Sequence, residues 1–210
     1  MRVLVACECS GVVREAFRNL GHDAWSCDLK PALDGSKYHI EGDAIAAIDS
    51  RNWDLMIAHP PCTYLTCAGN RWFKPEYKER FPEREQQRED GIKFFRALAN
   101  ASVPRIAVEN PIGVMSRLYR KPDQIIQPWQ FGHPVAKATC LWLKNLPTLT
   151  PTHVVEPDYI TFKSGKRMSK WYADLVKLPP YERATQRSIT FQGVAEAMAA
   201  TWNVLDKDNQ

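Results

Sequence analysis

The sequence predicts an α/β protein built on a doubly wound, mostly parallel sheet. Three observations predict it: short apolar runs of strand length, amphipathic stretches between them, and the steady alternation of the two over the first half of the chain. Val3-Leu4-Val5-Ala6 is apolar without alternation, the pattern of a strand buried on both faces. Ser10-Gly11 opens a helix with Val12, Val13, Ala16, Phe17 and Leu20 at helical spacing, and Gly21 stops it. Ala24-Trp25-Ser26-Cys27 reads as a second strand ending in Asp28. A turn region rich in Pro, Gly and Asp follows, then Tyr38-His39-Ile40, Gly42-Asp43 and a short helix from Ala44 to Ile48. Leu55-Met56-Ile57-Ala58 is a further strand and runs straight into His59-Pro60-Pro61-Cys62. The segment 83–101 carries Ile92, Phe95, Leu98 and Ala99 on one helical face. Ile106-Ala107-Val108 is the next strand, ending at Glu109-Asn110-Pro111.

The second half is less regular. Residues 124–143 read as two strands around Phe131-Gly132-His133-Pro134, and 147–180, rich in proline, as a long loop or small insert. Residues 193–202 form a closing helix, and the tail after Asp206 is expected to fray. The run from Arg71 to Arg96 mixes eight basic with six acidic residues and reads as a solvated helix face. Between 161 and 190, seven basic residues face two acids, with Trp171 and Tyr172 interleaved.

Composition narrows the class. The 210 residues, 44% hydrophobic and 25% charged, suit one globular domain with a small appendage. Mean hydropathy is −0.41 and no apolar run approaches the roughly 18 residues of a membrane helix. The opening MRVLVACECSG turns to Gly and charge too early for a signal peptide, so a cytoplasmic protein is expected. A net charge of +4 permits a nucleic-acid partner without requiring one. Cys7, Cys9, Cys27, Cys62, Cys67 and Cys140 form no metal-ligand spacing and read as reduced thiols, mostly small core hydrophobes; no metal is expected.

Parallel sheets bind ligands at the carboxyl ends of their strands. Here those ends carry Cys9-Ser10-Gly11, Asp28, Asp43, Pro61-Cys62 and Glu109-Asn110. Ser10-Gly11 before a helix can present backbone N–H groups to a nucleoside-containing ligand, and Asp28 can accept from ribose hydroxyls. Asp43 is within reach of an adenine amino group in this reading. Taken alone, Asp28 reads first as a strand-ending turn residue. Cys62, after two prolines and a buried strand, sits where a nucleophilic thiol is displayed; the alternative is a structural thiol. Glu109 brings a carboxylate towards it, and either Glu109 or Asn110 can instead cap the following helix. His59 reads as a packing or hydrogen-bonding residue, and His133 as structural. A thiolate can add to carbon 6 of a pyrimidine while a glutamic acid protonates nitrogen 3, and burial is expected to keep Glu109 protonated.

Val108-Glu109-Asn110-Pro111, Pro60-Pro61-Cys62 and the first strand–turn resemble the DNA cytosine-5 methyltransferases, with the order of elements agreeing over roughly residues 1–145. Gln127-Pro128-Trp129-Gln130-Phe131 and Lys137-Ala138-Thr139 stand where that family has its Gln-Arg-Arg strand, and residues 193–198 resemble its closing motif. The whole is most similar to short phage and prophage methylase-like chains. The resemblance implies a Rossmann-like class I methyltransferase fold, S-adenosylmethionine as cofactor and DNA as partner, its cytosine flipped from a duplex or presented in a single strand. It implies Cys62 as nucleophile, Glu109 as proton donor, Asn110 orienting the loop, and Lys137 and Thr139 steadying the base or its phosphate. Cys9, Ser10, Gly11, Asp28, Asp43, Pro60 and Gly193 would hold the cofactor. Lys163, Lys166, Arg167, Lys170, Trp171, Arg183 and Arg187 are the candidate nucleic-acid contacts.

The departures are specific. Cys7-Glu8-Cys9-Ser10-Gly11-Val12 keeps one glycine of the family's Phe-x-Gly-x-Gly-Gly, and Lys137 lacks the fork of the family's arginines. Residues 1–146 with 189–205 are expected to form the catalytic domain. The basic, proline-rich stretch 147–188 takes the place of a target-recognition domain, which keeps open a free or single-stranded pyrimidine nucleotide or a group other than methyl, while the eroded glycine motif keeps open a non-catalytic DNA- or cofactor-binding role.

Overall fold

The computed structural model describes residues 1–203; the end of the closing segment at residue 205 and the tail after Asp206 lie outside the described residues. Seven strands form one sheet: β1 (Arg2–Ala6), β2 (Asp23–Asp28), β3 (His39–Glu41), β4 (Leu55–Ala58), β5 (Arg105–Pro111), β6 (Gln124–Ile126) and β7 (Thr139–Lys144). Their order is β3-β2-β1-β4-β5-β7-β6, parallel from β3 through β5, with β7 antiparallel to both its neighbours. An open sheet whose winding reverses between β1 and β4, and whose final hairpin tucks β7 between β5 and β6, is a Rossmann-like α/β arrangement.

The strand residues divide between two cores, one on each face, as a period of two demands. Val3, Val5, Leu55, Ile57, Ala107 and Leu141 meet α1 (Val12–Asn19) and α7 (Gln192–Trp202) through Val13, Phe17, Val194, Met198 and Trp202. Leu4, Ala6, Met56, Ala58, Ile106, Val108 and Trp142 point the other way, to α2 (Ala44–Asp49), α3 (Arg84–Ala99) and α4 (Met115–Leu118) through Ala44, Ile48, Phe95, Leu98 and Met115. Truncating Phe95 or Trp202, each fully buried, costs about 3–5 kcal/mol, and Trp202 would also lose its indole bond to the Pro147 carbonyl.

Two segments differ from expectation. The mixed-charge run is α-helical only from Arg84; Cys67–Phe73 and Pro75–Tyr77 are tight 3-10 turns. The reason is local: the Arg88 guanidinium lies 3.3 Å from the Phe73 ring centroid, and Arg84 packs among Tyr64, Phe73 and Phe81. The insert, in turn, has structure of its own: a hairpin of β8 (Tyr159–Thr161) and β9 (Arg167–Ser169), then α5 (Lys170–Leu175) and α6 (Pro180–Ser188). No residue of α6 is buried, so no apolar period marks it, and Pro180 at its first turn is its one strong signal.

Candidate active site

The register of β4 against β5 builds the reaction end of the site. Ala58 lies opposite Val108, so the next residues along, His59 just past β4 and Glu109 still within β5, stand side by side. His59 Nδ1 stands 3.1 Å from Glu109 Oε2, with 9% of the His59 side chain and 19% of the Glu109 side chain exposed. One residue further, the buried Asn110 donates from Nδ2 to the Pro60 carbonyl at 2.8 Å. Pro60 and Pro61 restrict the backbone ahead of Cys62, whose carbonyl accepts from Leu65 and Thr66 in a tight turn. The segment beyond is tied to the β5 side by Cys67 N–H to Ile112 O and Val114 N–H to Leu65 O.

The charges acting on Cys62 come from Glu109, Lys137 and Arg187. Burial pushes its thiol up, Glu109 pushes it further, and the two cations oppose both. Glu109 departs from the sequence expectation. Burial raises its carboxyl, but the His59 hydrogen bond and the electrostatic attraction of His59 and Lys137 outweigh burial and hold it below the usual glutamate value. It is therefore a carboxylate at neutral pH, not a standing acid. A carboxylate only accepts, so the His59 Nδ1 carries the proton between them. His59 Nε2 is buried and has no partner among the described residues, while Glu109 Oε1 has no hydrogen-bond donor there. The Lys137 ammonium is lowered by burial and supported by Glu109 and Cys62; its Nζ donates to the Arg187 carbonyl at 2.9 Å.

Aromatic rings close this corner. Trp171 packs edge-on to Tyr172 at 4.9 Å and against Phe191 at 5.5 Å, and Lys137 Nζ lies 5.6 Å from the Trp171 centroid. Arg187 sits 5.4 Å from the Tyr172 ring; burial pushes the Tyr172 hydroxyl up and Arg187 opposes the rise. The Tyr172 hydroxyl also feels Cys62 and Glu109. At the other end of α6, Tyr181 lies 5.5 Å from Lys30 Nζ in the loop after β2. α6 thus spans from the Cys62 corner to the loops beyond β1 and β2.

Those loops form the second subsite. Cys7 follows β1 with φ of 60°, and its thiol is pushed up to about 12 by burial, then by Asp28, Cys27 and Asp43. Asp28 and Asp43 therefore converge on one spot. Asp28 Oδ1 accepts from Lys30 N–H at 3.0 Å and Asp43 Oδ1 caps α2 through Ile45 N–H at 2.6 Å, so each has its turn role as well as a second oxygen without a donor among the described residues. The first amides of α1, where a dinucleotide fold seats a phosphate, are already filled: the buried Glu8 accepts from Val13 N–H at 2.8 Å and Arg14 N–H at 3.3 Å. Ser10 Oγ donates to the same carboxylate at 3.0 Å. Gly11 adopts φ of 76°, and a Cβ there would strike the guanidinium of the wholly buried Arg14. Arg14 in turn binds Ser26, Glu15 and Asp34, and Leu33 N–H bonds the Cys9 carbonyl, clamping the β2–β3 loop on the β1–α1 turn. Among the described residues this spot offers open carboxylate oxygens of Asp28 and Asp43, while the α1 amides that could seat an anion are taken by Glu8.

Of the residues singled out in the sequence, Cys62, Glu109, Lys137, Trp171 and Arg187 come together, with Asn110 and Pro60 bracing them. Thr139 is buried and its hydroxyl bonds the Lys137 carbonyl at 3.2 Å. Gly193 packs where a Cβ would lie 2.0 Å from the Phe131 carbonyl, and its N–H bonds His133 Nε2. Lys163, Lys166 and Arg167 ride on the β8–β9 hairpin, where Arg167 covers Tyr159; Lys170 opens α5 and Arg183 reaches the Val176 carbonyl. His59, Tyr172, Phe191 and Glu8 were missed as site residues. The place of His59, first after a strand and directly before Pro60-Pro61-Cys62, was the available signal.

No protein-family model matches the chain, and no curated protein matches it. Among solved structures, it is similar to an E. coli protein assigned as a DNA modification methyltransferase encoded within a prophage (13% identity, TM-score 0.48, covering 86% of this chain and 56% of that one). It is similar also to the S. pombe Dnmt2 methyltransferase (16%, 0.43, 70% and 50%) and to an rRNA methylase from Escherichia coli (16%, 0.38, 68% and 55%). The chain thus spans about half the length of the structures it matches.

Proposed function

We propose that the protein methylates carbon 5 of cytosine in DNA through a covalent Cys62–cytosine adduct, with S-adenosylmethionine as donor. The observation that carries this reading is the convergence of Cys62, Glu109 and Lys137 at the ends of β4 and β5, beside the point where the sheet reverses. A lone thiol gains nothing from a neighbouring carboxylate, which raises its pKa. A thiol that must add to an electron-poor ring while a proton reaches the same ring uses both. Sγ forms the bond to carbon 6, nitrogen 3 gains a proton through Glu109, and carbon 5 becomes nucleophilic. Lys137 steadies the charge that passes between Cys62 and Glu109, and Asn110 fixes the Cys62 loop by its bond to Pro60. Asp28, Asp43 and the backbone around Cys9-Ser10-Gly11 would hold S-adenosylmethionine, which when bound supplies an electrophilic methyl group. The base must leave its stack to reach Cys62.

A second reading shares the chemistry and differs in substrate: single-stranded DNA or a free pyrimidine nucleotide. The aromatic corner of Trp171, Tyr172 and Phe191 beneath α6 favours it, since stacking platforms with adjacent cations suit an isolated base and its phosphate. In either reading residues 1–146 with the closing helix form the catalytic unit, and 147–188 stand in for a target-recognition domain. Label transfer from S-adenosylmethionine to duplex, single strand and dCMP in parallel separates the substrates. Mass spectrometry of the nucleosides identifies the base, position and group. Transfer that survives intact in Cys62→Ser sinks the assigned nucleophile, and absence of S-adenosylmethionine binding by calorimetry points to a non-catalytic protein.

A further inference from the structure

His59 has no part in the chemistry described so far, yet it is the residue held most closely to Glu109. Its side chain is nine-tenths buried, its Nδ1 is 3.1 Å from Glu109 Oε2, and its Nε2 is buried without a partner among the described residues. A buried, half-satisfied imidazole costs stability, and a plain packing residue would avoid it. The register of β4 and β5 aims the ring at one oxygen of Glu109 and leaves the other oxygen, Oε1, without a donor.

We propose that His59 is a positioning residue for the reaction: its Nδ1–H pins Glu109 Oε2, leaving Oε1 to pass the Cys62 thiol proton to nitrogen 3 of the pyrimidine. The proposal rests on the cytosine reading above. The S–H bond breaks, and its electron pair forms the Sγ–C6 bond. The C5–C6 π pair shifts to C4–C5, the C4–N3 π pair moves onto nitrogen 3, and nitrogen 3 takes the proton from Oε1. Glu109 ends as it began, a carboxylate, so no outside acid is consumed. The groups that face Glu109 are His59 at the end of β4, Cys62 in the following loop, Lys137 ahead of β7, Cys140 within β7 and Tyr172 on α5. The reactive state holds one proton shared by Cys62 and Glu109, so the rate should follow a bell whose acid limb belongs mainly to Glu109 and whose basic limb belongs mainly to Cys62.

The test compares wild type, His59→Ala and His59→Asn in single-turnover methyl transfer to cytosine DNA across pH. Asn retains an N–H near the Nδ1 position. His59→Ala should lower kcat by roughly 10- to 100-fold with little change in KM, and move the acid limb to higher pH because a group that lowers Glu109 is gone. His59→Asn should recover most of the rate. Equal losses in both variants with an unmoved acid limb would mean a packing role and overturn the proposal, as would a His59→Ala profile equal to wild type. A separate readout needs no turnover: spectra of ¹⁵N-histidine protein should show His59 as the Nδ1–H tautomer, perturbed in Glu109→Gln. An Nε2–H tautomer overturns the pairing itself. A wild-type protein inert on every cytosine substrate, with the Nδ1–H tautomer present, overturns the cytosine reading and the proton route with it, yet leaves the pair standing.

Discussion

The Asn110 amide donates to the Pro60 carbonyl across 2.8 Å, and this bond ties the end of β5 to the start of the loop that displays Cys62. Both groups are buried, so neither can turn to water if the other is lost. Asn110→Ala should cost about 1–3 kcal/mol in stability through the orphaned carbonyl. In the proposed reaction it should cost kcat more, on the order of 100-fold, because this loop positions the Cys62 nucleophile. Thermal melting beside kcat checks the split; a variant that melts early but turns over normally would show that the loop is fixed elsewhere.

Cys62 is raised by burial and by Glu109 and lowered by Lys137 and Arg187. Removing a cation therefore moves the thiol further up. Lys137→Met should slow alkylation of Cys62 by iodoacetamide at pH 8, and Glu109→Gln should speed it. Mass spectrometry of the Cys62 peptide against time reads both signs.

Cys7, at about 12, should stay unmodified under the same conditions even though it is not fully enclosed, because burial and the carboxylates of Asp28 and Asp43 disfavour its thiolate. Asp28→Asn should lower that value and make Cys7 more reactive. It should also weaken S-adenosylmethionine about tenfold by calorimetry, a loss of ~1.4 kcal/mol. Protection of Cys7 by added cofactor would place the ligand at this spot.

His133 Nε2 accepts from the N–H of Gly193 near the start of α7, which requires a neutral ring. Burial lowers its pKa, against a smaller upward pull from Glu196. The unfolded chain then binds the proton more readily, so this contribution is complete above the ordinary histidine value of about 6.5 and is lost as pH falls through the lower folded value. Melting temperature should fall below about pH 6.5, and the fall should be shallower in His133→Gln.

Gly193→Ala should be severe, since the new methyl would stand 2.0 Å from the Phe131 backbone carbonyl, which no rotamer can relieve. A loss of at least about 1–3 kcal/mol is expected from overpacking, read by denaturant unfolding. A stable Gly193→Ala protein would show that α7 can shift outward.

The strands were legible because they are apolar on both faces: Val3–Ala6 and Leu55–Ala58 stand out in any reading, and helices α1, α3 and α7 follow from their apolar period. α6 was not legible, since it buries nothing, and the turns from Cys67 to Tyr77 were hidden because Phe73 packs under Arg84 and Arg88 of the following helix, a contact no period in the sequence marks. Cys62 and Glu109 were legible as strand-end residues. That Glu109 is held as a carboxylate was not, because burial alone argues the reverse and its partner lies fifty residues away.

The sequence by itself determined which residues end the strands, and so which chemistry is available: a thiol, a carboxylate, an amide, and the acids Asp28 and Asp43. Hydrophobic period and turn residues act within a few positions of one another, and a chain carries that information wherever it goes. Only the tertiary structure decided the pairings. The β4–β5 register put His59 against Glu109, and the path of α5 and α6 brought Arg187 and Tyr172 to Cys62. Protonation follows from such neighbours, through burial and charge at a few ångströms, and sequence spacing carries no measure of either.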